Sequence, residues 1–81
     1  NVVVYQPRSP EDVQTLIDFL KRREPAIINL DGVSEQPVAQ RILDFTSGAI
    51  YALNGSVHRI SSNIFLLSPE GVEITVPYDP Q

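Results

Sequence analysis

The chain has 81 residues, a net charge of −4 at neutral pH, 42% apolar residues and no cysteine. It is therefore one small domain with a limited core, for which oligomerisation is a common source of added stability. Disulfides and thiolate metal sites are excluded, and the acidic balance argues against nucleic acid, which selects a basic face. No apolar run approaches the ~20 residues needed to span a bilayer, and no signal-peptide layout is present.

Val2 to Tyr5 is a short β-branched run and reads as a buried strand. Ser9-Pro10-Glu11-Asp12 is a helix start: Ser9 can cap, Pro10 suits the first helical position, and two acids favour the positive end of the helix dipole. Val13, Leu16, Ile17 and Leu20 then recur at i, i+3, i+4 and i+7, one face of an amphipathic helix. Lys21, Arg22 and Arg23 lie at its negative end, and Pro25 stops it. Ala26 to Leu30 is a second strand, closed by Asp31-Gly32.

The next helix runs from Gln36 to Leu53, with Ser34 as its expected cap and Pro37 tolerated in the first turn. At about 100° per residue it carries two apolar stripes. Ala39, Ile42, Leu43, Thr46, Ile50 and Leu53 fall on one side; Val38, Phe45, Gly48 and Ala52 fall on another, with Ala49 between. Gln40, Asp44, Ser47 and Tyr51 form a polar wedge. One stripe suffices to cover a sheet, so the second, built around small residues, points to a partner, most simply another copy of the chain. Gly48 is either a neutral local feature or a point of close backbone approach, and the second reading accounts for its cost of about 1 kcal/mol in a helix interior.

Asn54-Gly55 ends that helix, because both residues accept a left-handed backbone. Three short strands are expected next, Val57 to Ile60, Ile64 to Leu67 and Val72 to Val76, separated by turns at Ser61-Ser62-Asn63 and Ser68-Pro69-Glu70-Gly71. The order β-α-β-α-β-β-β defines an α/β (α+β) domain: a two-layer sandwich of two helices on a mixed sheet of about five strands. Phe65 and Leu67 face one side of the middle strand, Ile64 and Leu66 the other, so both faces of the sheet want cover.

Catalytic chemistry finds little support. His58 is the single histidine and lies in strand sequence beside Arg59, where a solvated side chain explains it better than a general base does. Asp31 makes a turn with Gly32, and Asp44 lies three residues after Arg41, where an ion pair accounts for it. One histidine and scattered carboxylates give no metal-ligand spacing, and no spaced glycines form a phosphate loop. Lys21-Arg22-Arg23 is explained by the helix dipole. Arg59 and Phe65, on neighbouring strands, either receive an acidic-apolar peptide or reflect an ordinary core phenylalanine beside a surface cation.

From Ala39 to Pro69 the chain carries Ala39-Gln40-Arg41, Asp44-Phe45, Gly48, Tyr51-Ala52-Leu53, Gly55, Arg59, Ile64-Phe65-Leu66 and Ser68-Pro69. In order and spacing these residues strongly resemble the core domain of SepF, a bacterial and archaeal cell-division family, and Ile28-Asn29-Leu30 fits that family's apolar-N-L strand. The resemblance covers nearly the whole chain, so residues 1–81 are read as a single SepF-like core domain, without the family's N-terminal membrane-binding helix and linker. It implies a non-enzymatic adaptor with no cofactor and no metal. Such an adaptor dimerises, assembles further, and binds the C-terminal tail of the tubulin-like GTPase FtsZ, helping to anchor and align FtsZ filaments at the membrane during septum formation. Its implied location is cytoplasmic, at the division septum, peripheral to the inner face of the cell membrane. The tail would meet Ala39, Arg59, Phe65 and Leu67. Self-association, tied in the family to the helix glycine, would use Val38, Arg41, Phe45, Gly48, Ala49 and Ala52. Members of the family pair both through helices and through sheet faces.

Two other classes compete with this expectation. A nucleic-acid-binding α/β domain would share the strand-helix order, but the chain has no basic stripe to match it. A small-ligand regulatory domain would use a dimer interface as its pocket, but no polar cluster marks a ligand.

Overall fold

The expected alternation of strands and helices is present in the computed structural model, which describes residues 2–75. The elements are β1 (Val3–Tyr5), a 3-10 turn (Pro10–Asp12) running into α1 (Val13–Lys21), β2 (Ala26–Asn29), α2 (Gln36–Ala52), β3 (Ser56–Ser61) and β4 (Ile64–Ser68).

Local chemistry explains the helix ends. At the start of α1, the Asp12 carboxylate accepts the backbone N–H groups of Arg8 (3.0 Å) and Ser9 (3.2 Å). These bonds hold the Asp12 carboxyl below its ordinary range: the Arg8 amide lowers its pKa most, and partial desolvation opposes it. α1 closes with Arg23 in the left-handed region (φ 61°), where Arg23 N–H reaches the Leu20 carbonyl at 3.0 Å and Glu24 N–H the Phe19 carbonyl at 3.4 Å. α2 closes the same way at Asn54 (φ 60°), with Asn54 N–H on the Tyr51 carbonyl and Gly55 N–H on the Ile50 carbonyl. Asn54 therefore supplies the left-handed turn. Gly55 serves a different purpose: a Cβ there would lie 2.7 Å from Ile50 Cδ1 and would also meet the Ser68 carbonyl.

Ser34 is not the cap of α2. Glu35 holds that position in extended backbone, and its carbonyl takes the N–H groups of Val38 and Ala39, each at 3.1 Å. Pro37 brings no N–H to the first turn, so one of the donors a capping side chain normally satisfies is missing from the outset.

The strands form one mixed sheet in the order β1-β2-β4-β3, with β1 parallel to β2 and the other pairs antiparallel. Both helices pack on one face. Val13, Leu16 and Leu20 of α1 and Ile42 and Ile50 of α2 meet Ala26, Ile28, Phe65 and Leu67 of the sheet in a single core. Thr46, on the same stripe of α2, is fully buried and returns its hydroxyl to the Ile42 carbonyl at 2.7 Å. The register places Val4, Ile27, Leu66 and His58 in one row across the opposite face. Val2, Val4 and Ile60 are exposed there, so among the described residues this second face lacks the cover its apolar content asks for.

The sheet has four strands among the described residues, against about five expected. Residues 72–75 are not a strand, and Val76 lies outside the described residues. The alternation of Val72, Ile74 and Val76 reads correctly as a pattern, but β4 already has β2 on one side and β3 on the other. A chain leaving β4 by a short turn therefore has no free edge beside it to join. It turns instead, with Val72 N–H on the Pro69 carbonyl (3.1 Å), Ser68 Oγ on the Val72 carbonyl (2.7 Å) and Gly71 at φ 79°.

Candidate functional site

The site begins with a bulge. Arg59 pairs with Phe65 across β3 and β4, while Ser61 pairs with Ile64, so β3 spends one extra residue, Ile60, at the hairpin end. Arg59 thus stays on the helix-covered face of an edge strand, beside Phe65. Its guanidinium carbon lies 5.6 Å from the centre of the Phe65 ring, within cation–π range. Nε donates to the Ser61 carbonyl at 3.2 Å and Nη2 to the Ser62 carbonyl at 3.1 Å. Of the five N–H donors of a guanidinium, the remainder have no partner among the described residues.

From Arg59 a shallow cleft of about 80 Å³ opens between the sheet and the first turns of α2. Leu30 and Phe65 line its sheet side, and Gln36, Ala39, Gln40 and Leu43 its helix side, with Ser62 and Asn63 at the hairpin end. Its lining holds one formal charge, the Arg59 cation, in a chain whose net charge is −4. Asp44 lies nearby but is engaged, accepting Gln40 Nε2 at 2.9 Å; among the described residues Arg41 does not pair with it. Such a cleft can take an apolar side chain against Ala39, Leu43 and Phe65 and a carboxylate at Arg59.

The structure brings Ala39, Arg59 and Phe65 together in this cleft. It does not bring Leu67 there. Leu67 shares the face of Phe65, but it lies two residues further along β4, opposite Ala26 and Val57, and is fully buried in the core. Alternation identifies a face, not a position along it, and two residues of strand span ~7 Å. Leu43 was legible as the residue four beyond Ala39 on the same helix face. Asn63 and Ser62 were not, because only the bulged hairpin brings them to the rim.

The second stripe of α2 stands open. Arg41, Phe45, Gly48 and Ala52 are exposed, at spacings that align them along the helix, and Val38 and Ala49 are half-buried at the margin. Phe45 retains 47% of its surface, and a Cβ built on Gly48 meets no heavy atom within 4 Å. Beside Phe45, Pro10, Glu11 and Gln14 border a wide, mostly apolar groove. No group of three or more His, Asp or Glu among the described residues is placed to hold a metal ion, and no helix there is long and apolar enough to cross a membrane.

Two helices on one face of a four-stranded sheet, with a cationic-apolar cleft at the sheet edge, define a small α+β domain. A profile of the family "Cell division protein SepF" matches residues 2–74, and the chain belongs to that family. It is 49% identical over 74 residues to the cell division protein SepF of Symbiobacterium thermophilum, covering 91% of this chain and 36% of that protein. It is 48% identical over 81 residues to that of Pelotomaculum thermopropionicum, covering 99% of this chain and 54% of the relative. The chain thus spans between about a third and about a half of the length of these relatives. The fold matches SepF-like proteins of known structure: that from Archaeoglobus fulgidus at a TM-score of 0.85 with 9% identity over 99% of this chain and 98% of that one, and that from Pyrococcus furiosus at 0.82 with 17% identity over 93% of each.

Proposed function

We propose that this domain is a non-enzymatic adaptor of cell division that captures the C-terminal tail of FtsZ in the Arg59–Phe65 cleft and pairs with a second copy through the open stripe of α2. The carrying observation is the cleft itself: a lone cation stacked on an aromatic ring, flanked by Ala39 and Leu43, with no carboxylate in the lining. A peptide with an apolar anchor beside an acidic residue complements it. The exposed row Arg41-Phe45-Gly48-Ala52, on the same helix but outside the cleft, supports a separate contact for pairing. Two such functions in one domain join filament tails to one another, and, through parts of the protein beyond this sequence, to the inner face of the membrane at the septum.

Titration of a labelled FtsZ C-terminal peptide tests the first half. Saturable binding that Arg59→Glu weakens by about tenfold or more, through lost pairing and added repulsion, is expected; equal affinity in the folded variant rejects the cleft. Light scattering of Gly48→Lys tests the second half. A long charged side chain cannot enter a close helix contact, so a mass equal to that of a self-associated wild type rejects the α2 interface.

A further inference from the structure

Asn63 Nδ2 donates to Asp31 Oδ1 at 3.1 Å, linking residues 32 positions apart. Every other side-chain hydrogen bond among the described residues joins positions no more than four apart. This bond adds a side-chain tie where the backbone ladder between β2 and β4 runs out, one residue beyond the Asn29–Ile64 pair, at the junction of the loop after β2 with the hairpin between β3 and β4. Both ends are anchored. Leu30 N–H donates to the Asn63 carbonyl at 2.7 Å, and Asp31 N–H donates to Asn29 Oδ1 at 2.9 Å. The hairpin so tied is the one whose Ser61 and Ser62 carbonyls hold the Arg59 guanidinium.

We propose that the Asp31–Asn63 bond is a positioning device for Arg59. It fixes the hairpin that aims the guanidinium over Phe65, and with it the direction in which the cleft presents its cation to a peptide carboxylate. The peptide part of this inference rests on the tail-capture reading above; the positioning itself belongs to the free protein. A hydrogen bond this exposed adds little to global stability. Its effect lies in ordering a long, flexible side chain that otherwise loses rotamer freedom when a ligand binds.

Electrostatics makes the inference separable from a simpler one. Asp31 is a negative charge outside the cleft lining, bonded to Asn63 at the cleft's hairpin end. If it acted only through its charge, removing it would tighten binding of an acidic peptide. If it positions Arg59, Asp31→Ala weakens binding, whereas Asp31→Asn, which keeps an acceptor oxygen for Asn63, does not.

The test uses the ¹⁵N-labelled chain and the same FtsZ C-terminal peptide. The Arg59 Nε–Hε signal, assigned by its loss in Arg59→Lys, is expected to stand apart from solvent-exposed arginine signals in wild type and in Asp31→Asn. It should move to their position in Asn63→Ala and in Asp31→Ala. Each alanine variant should weaken the peptide by about three- to tenfold in the wild-type background and by less than about twofold in an Arg59→Ala background, because the bond acts through that side chain. An unmoved Arg59 signal, an equal loss in both backgrounds, or tighter binding by Asp31→Ala overturns the proposal. If wild type does not bind the peptide at all, tail capture fails, and the Arg59 signal alone decides the positioning. The two alanine variants lie on different segments, so misfolding of one leaves the other to decide.

Discussion

Adding one methyl group at position 48 should move stability and self-association in opposite directions. Gly48 lies in the interior of α2, where alanine is favoured over glycine by about 1 kcal/mol. Nothing in the chain opposes the change, since a Cβ there meets no heavy atom within 4 Å. Gly48→Ala should therefore raise the unfolding free energy of the dilute chain by about 1 kcal/mol, or about 4–8 °C in Tm for a domain of this size. If α2 pairs with a second copy at Gly48, the same methyl is forced into a close backbone contact. Overpacking of that kind costs about 1–3 kcal/mol, or about 5- to 150-fold in dimer Kd. Urea unfolding at low protein concentration reads the first effect, and sedimentation equilibrium reads the second. A stabilised variant that associates as well as wild type would refute close packing at Gly48. A destabilised variant would refute the claim that the position is open in the single chain.

Other substitutions probe the frame around the site. Phe65 is 5% exposed, so Phe65→Ala should cost about 3–5 kcal/mol in urea unfolding, a large part of a small domain's stability, whereas Phe65→Leu should stay well below that and report on the peptide alone. Arg23→Gly relieves a left-handed arginine at the end of α1 and should raise Tm by a few degrees, a gain of about 1 kcal/mol. The Asp12 pKa is lowered in the folded state, so its contribution is complete above the ordinary aspartate value of about 3.9 and is lost as pH falls through the lower folded value. In acid titrations followed by circular dichroism, the stability difference between wild type and Asp12→Asn should therefore shrink as pH drops below about 4.

Much of the fold was legible because its signals are local. The i, i+3, i+4, i+7 spacing of Val13, Leu16, Ile17 and Leu20 gave the face of α1, and Asn54-Gly55 gave the end of α2. The alternation of Phe65 and Leu67 against Ile64 and Leu66 gave the two faces of β4. What was not legible depends on neighbours in space. Residues 72–75 alternate as a strand would, yet β4 is interior to the sheet and offers them no edge. Ser34 has the chemistry of a cap, but the Glu35 carbonyl serves the first amides instead. In the cleft, Ala39 came from motif resemblance and the Arg59–Phe65 pair from strand adjacency as well, Leu67 lies outside the lining two residues further along β4, and Asn63 with its bond to Asp31 required the folded hairpin to be seen at all.

The most direct test of the account is a ¹H–¹⁵N correlation spectrum of the labelled chain as the FtsZ C-terminal peptide is added. Perturbed amides should cluster at Leu30, Ala39, Gln40, Leu43 and the segment from Arg59 to Phe65. Val4, Ile27 and other outer-face amides away from that hairpin should stay in place. A spectrum that does not change, or shifts centred on that outer face of the sheet, would contradict it.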